Sequence, residues 1–337
     1  MQLLVGEGFG RLKLHCACPH GGSCRQKVIT GFRLRPLVRF GLDDSHQSPV
    51  KSNTMDLPLA LHTAARTFCA NQHSHWSGEY MPLVNSGLDR VGKHYSKAAY
   101  SLFPRYRLDE AIGVEVERIT GDEFRSLEEA RTILLEAGRR ALSSLSQEFQ
   151  QIPEARAAIT DEWKAFDSYI STLDPIQLAQ IKPLPYRRVL TKSESEQLRD
   201  RLNTIWGAND YWYPLSKCDP QTNVIAFHQE LWKQRDGTSL LLQAIEQRAI
   251  ERCFLLLEGP VDYEIARSLV EPTYRGDESF VTSDFEWLVY SSHESSIAVA
   301  GWLADFFRIQ WRDWDAVAYG GPFHTADLRG SWEMPKR

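Results

Sequence analysis

Along the middle of the chain, apolar residues return every three or four positions, the period of a helix buried on one side. Asp56, Leu57 and Pro58 read as a start, an acidic cap followed by proline in the first turn, where its missing N–H costs nothing. Leu61, Ala65, Phe68, Gln72, Trp76 and Tyr80 then form one stripe, with His62, Arg66, Cys69 and His73 on its polar flank. Residues 95–108, with Pro104 among aromatic and basic residues, read as a packed loop, after which Leu108, Ile112, Val116 and Ile119 resume a helix. Ser126 and Glu129 have capping-box spacing and open a helix through Leu134, Ala141 and Phe149. Pro153 opens another through Ile159, Phe166 and Ile170, which the turn Asp174-Pro175 closes.

Two prolines in 182–186 mark a boundary. Beyond it, Thr191 or Ser193 caps a helix through Leu198, Leu202 and Trp206, the second choice giving a box with Glu196. The period then changes. In 286–290 both alternating faces are apolar, as in a strand covered on both sides, and 296–300 reads as its partner across the polar turn 291–295. Residues 252–257 and 263–270 read as further strands, 238–250 and the segment after Gly301 as helices, and 271–284 as a polar loop. The fold class is therefore α+β: a mainly helical domain over 55–182, then an antiparallel-sheet domain over 186–337.

The net charge of −5 hides an asymmetry. Residues 1–54 hold eight Lys and Arg against three acids, which leaves 31 basic against 41 acidic side chains, or −10, for residues 55–337. Such a surface lacks the positive field that nucleic acid or anionic membrane binding needs, so neither is expected as a partner. Scattered cysteines, the absence of a membrane-length apolar run and a start without a basic, then apolar, signal pattern suggest a reduced, cytoplasmic protein.

The first 54 residues admit three readings: an upstream extension outside the fold, a basic targeting peptide, or a metal site built from Cys16, Cys18 and Cys24 with His15 and His20. Cys16 and Cys18 are only one residue apart and no second cysteine pair follows, unlike the two-armed spacing of structural zinc sites.

Eight of the ten tryptophans follow residue 200, a density that fills a core or builds a recognition surface. Trp212, Tyr213, Glu278 and Tyr290 are the candidate binding residues of an acidic, aromatic surface. That gives the first functional expectation: a non-enzymatic module for a basic protein partner, as an immunity or inhibitor protein would be, without a cofactor. The second expectation is a hydrolase or metal-dependent nuclease. It would use His293 and Glu294 in the serine-rich turn, with Asp284 and neighbouring carboxylates. Cys218 with His228 is a further thiol–base candidate. No G-x-x-x-x-G-K-S/T, strand-linked G-x-G-x-x-G, H-E-x-x-H, G-x-S-x-G or C-x-x-C sequence is present, which argues against nucleotide-dependent and zincin chemistry.

Overall fold

The first long helix, α1 (Leu57–Asn85), begins where Pro58 allows it, although Asp56 caps it only through its carbonyl, which accepts from the Ala60 N–H at 2.9 Å. This is a computed structural model that describes residues 56–120, 124–149, 151–208, 212, 223–259, 261–274 and 278–319. Residues 1–54, with Cys16, Cys18 and Cys24, lie outside them, as do Tyr213 and Cys218.

After a two-strand hairpin, β1 (Arg90–Val91) and β2 (His94–Tyr95), comes α2 (Lys97–Glu117), which runs straight through the expected loop 95–108. Pro104 lies buried inside it. The missing bond to the preceding turn is offset by packing, since the Phe103 ring meets those of Tyr80, Tyr95 and Phe149. α3 (Leu127–Glu148) starts at the Ser126 cap, whose oxygen accepts from the Glu129 N–H at 3.2 Å. The Glu129 carboxylate turns back to the N–H of Arg125 at 2.8 Å. α4 (Pro153–Thr172) completes a four-helix layer around Leu61, Leu108, Ile112, Leu134 and Phe166. Asp174 does not merely close it: with Gln177 it makes a capping box for the short α5 (Pro175–Leu178).

The second half is a seven-stranded, wholly antiparallel sheet in the order β3 (Arg187–Val189), β6 (Tyr263–Ala266), β5 (Arg252–Leu257), β7 (Ser279–Thr282), β8 (Trp287–Ser291), β9 (Ser296–Gly301) and β4 (Val224–His228). The α+β class and the β8–β9 hairpin stand as expected. Strand β7, by contrast, sits mid-sheet within the segment read as a polar loop. Its two ends are serine and threonine, and Thr282 is satisfied internally, its hydroxyl donating to the Trp287 carbonyl at 2.7 Å.

Both sheet faces are covered. On one, Ile225, Phe227, Val281, Trp287, Val289 and Val299 pack with Trp232, Leu241 and Phe307 from α7 (Gln229–Gln234), α8 (Gly237–Gln247) and α9 (Trp302–Gln310). On the other, Phe280, Leu288 and Tyr290 pack with Trp212 and with Leu202 of α6 (Lys192–Trp206). A short α10 (Trp314–Val317) follows. Thr191, not Ser193, caps α6, with Glu194 completing the box. Helical layer and sheet meet where Glu117 of α2 pairs with Arg66 and Arg187, each at 3.1 Å. Among the described residues no helix is long and apolar enough to cross a membrane.

Candidate functional site

The register of the central strands places Glu278 where the β8–β9 turn can reach it. Phe280 of β7 lies opposite Tyr290, and Ser279 opposite Ser291, so Glu278 falls level with the start of the turn. The turn is tight: the Ser292 N–H donates to the Ser296 carbonyl and the Ser295 N–H to the Ser292 carbonyl, with Ser295 left-handed at φ +56°. This curl lays His293 over Glu278.

The Glu278 carboxylate is fully buried and is the hub. One oxygen accepts from the Tyr290 hydroxyl; the other is bonded to His293 Nδ1 and accepts the His293 backbone N–H at 3.3 Å. Its backbone is held to Glu258, whose N–H donates to the Glu278 carbonyl at 2.9 Å. An ionised carboxylate only accepts, so the tautomer consistent with this bond has the proton on Nδ1 and leaves Nε2 outward. There Glu294 Oε1 lies 3.3 Å away. The Glu278 side chain is 1% exposed, whereas His293 and Glu294 are 41% and 39% exposed, so the line runs from interior to solvent. Burial, then the hydrogen bond to Glu278 and its charge, pushes the Tyr290 hydroxyl well above its ordinary range and keeps it a donor.

Of the expected catalytic residues, His293 and Glu294 come together and Asp284 does not join them. Asp284 sits at the opposite end of β7, in the connection to β8, where its carboxylate caps the Glu286 N–H at 2.9 Å and its charge acts on Cys253. Of the residues read as a binding surface, the three that are described turn inward. Trp212, Glu278 and Tyr290 are all buried, and the Trp212 ring stands edge-on to Tyr290 at 5.8 Å. Their side chains hold the site from beneath and cannot present an aromatic face to a partner. The neighbouring carboxylates disperse into ion pairs, Asp262 with Arg199 and Glu264 with Arg188 and Arg252. His228 Nδ1 accepts the Glu230 N–H and caps α7. Among the described residues no group of three or more His, Cys, Asp and Glu side chains is placed to hold a metal ion.

The orienting role of Glu278 was not legible, because it follows from the unrecognised β7. A charged residue directly before Ser-Phe-Val-Thr was the available signal. A shallow cleft of about 370 Å³, lined among others by Arg235, Asp236, Gln243 and Trp311, contains none of these residues.

No protein-family model, curated protein or solved structure matches the chain.

Proposed function

We propose that the β8–β9 turn is the acid–base centre of a hydrolase. In this reading His293 Nε2 takes the proton, Glu278 orients the ring and stabilises its charged form, and Glu294 is the exposed carboxylate that accepts from Nε2 once the ring is protonated. The observation that carries it is the bond between the buried Glu278 carboxylate and His293 Nδ1. A carboxylate behind an imidazole sets its tautomer and favours the imidazolium that forms when Nε2 takes a proton from water; positioned general bases contribute about 10²- to 10⁴-fold. Swinging Glu294 aside would admit that water.

The test is turnover by the full chain on a panel of chromogenic carboxylic and phosphoric esters. We expect activity that His293→Ala lowers by about 100-fold or more. Activity indifferent to His293→Ala, or no turnover on any ester, overturns the reading.

A second reading, a docking module for a basic protein, draws on the −10 charge of residues 55–337 and on the exposure of Glu294. It requires binding to a basic protein that weakens with rising salt and survives His293→Ala. A cytoplasmic location belongs to either reading and is supported by Cys69 and Cys253, both free thiols.

A further inference from the structure

Inside the helical layer, far in sequence from the β8–β9 turn, lies a second polar group. Asp109 of α2 is 1% exposed and neither carboxyl oxygen has a hydrogen-bond partner. Glu162 of α4 is 2% exposed; its Oε1 also lacks a partner, and its Oε2 lies 3.2 Å from Arg105 Nη1. Arg105 sits one turn before Asp109, with its guanidinium over the Trp76 ring at 5.0 Å and 3.4 Å from the exposed Asp161. Trp76 Nε1 and His73 Nδ1, from the facing side of α1, are likewise buried and unpartnered. Cys69, expected on a polar flank, is buried in the core beside this group.

Two buried carboxylates and the exposed Asp161 share one guanidinium, which leaves an uncompensated negative charge among the buried groups. One bound proton removes it. We propose that Asp109 is held as the neutral acid beside the Glu162–Arg105 pair, and that release of its proton to bulk water at alkaline pH sets a second buried negative charge against Glu162 and loosens α1, α2 and α4 at this layer.

Burial first, and the Glu162 charge second, push Asp109 up to about 9, with Arg105 opposing. The other groups reaching α2 do not supply the missing positive charge. From α1, the Cys69 thiol is pushed up and the His73 ring pushed down, chiefly by burial, so both stay neutral at pH 7. Arg66 of α1, Arg140 of α3 and Arg187 of β3 are engaged farther along α2, with Glu117 or Glu115.

Amide hydrogen exchange of the full chain between pH 7 and 10, expressed as protection factors so that the intrinsic pH effect cancels, tests this. We expect protection in α1, α2 and α4 to fall by at least 10-fold across pH 9 while β8 and β9 keep theirs. Asp109→Asn, which cannot ionise, should abolish the fall. Glu162→Gln removes the charge against which Asp109 ionises and should shrink the fall; it serves if Asp109→Asn does not fold. Protection that stays level in the wild type, or that falls equally in a folded variant, overturns the proposal.

Discussion

Glu278 and His293 are fifteen residues apart in sequence, and the buried carboxylate of one is bonded to the ring Nδ1 of the other. Tyr290 donates to the same carboxylate, so Glu278 is the buried acceptor of two side chains. Glu278→Ala takes this acceptor from the buried Tyr290 hydroxyl, at about 1–3 kcal/mol, and frees the half-exposed His293 ring to turn to water. Urea denaturation should therefore show a loss of about 1–3 kcal/mol. Glu278→Gln, which keeps an acceptor oxygen, should lose less. Equal losses in the two variants would show that volume, not hydrogen bonding, sets the cost.

Glu194 carries a pH-dependent share of stability. Its bonds to Arg188, at 2.9 and 3.0 Å, and to the Thr191 N–H hold its carboxyl down at about 2, below its ordinary 4.5. A depressed folded-state value means that the contribution is whole above about pH 4.5 and is lost as the pH falls towards 2. The Glu194 side chain is largely solvated, so the effect is discounted to below about 1 kcal/mol. Glu194→Gln should be less stable than wild type at pH 7 and indistinguishable from it near pH 2. A gap of the same size at both values would remove the charge as its origin.

Gly301 ends β9 and starts α9 at φ +67°, ψ −147°, a region open essentially to glycine alone. A Cβ there would lie 2.0 Å from the carbonyl oxygen of Glu286, the residue directly before the paired strand β8. Backbone cannot yield as a side-chain tip can, so Gly301→Ala should cost about 3 kcal/mol or more and separate the β8–β9 hairpin from α9. A thermal midpoint within a few degrees of wild type would contradict this account.

Much of the architecture was legible where periodicity was long or polar signals were local. The stripes of α1, α3 and α4 and the doubly apolar β8 and β9 declare themselves over several turns or a full strand. Two failures have physical causes. Pro104 argued for a loop, but the aromatic packing of Phe103 around it outweighs the lost helical bond. β7 has only four residues with polar ends, and is a strand because β5 and β8 bracket it, a property of the sheet and not of the segment. His293 and Glu294 could be singled out as a polar turn; their connection to Glu278 could not, since it depends on β7. The buried Asp109 and Glu162 lie on helices whose apolar stripes were evident. Nothing in residue spacing marks which polar residue of a helix turns inward.

Cysteine reactivity follows from the same burial. Cys253 lies on β5 within the sheet core; burial, reinforced by the Asp284 charge, pushes its thiol up to about 12. Cys69 is raised in the same direction by burial and by Asp109, Glu117 and Glu162. Only the thiolate attacks an alkylating reagent, so at pH 8 about one Cys253 in ten thousand is competent even before access is considered. Iodoacetamide treatment of the native chain at pH 8, followed by peptide mapping, should leave both residues unlabelled. The same treatment in denaturant should label them fully. Labelling of Cys69 but not Cys253 without denaturant would show that the helical layer opens independently of the sheet, and Asp109→Asn should then slow it if the Asp109–Glu162 charge drives the opening.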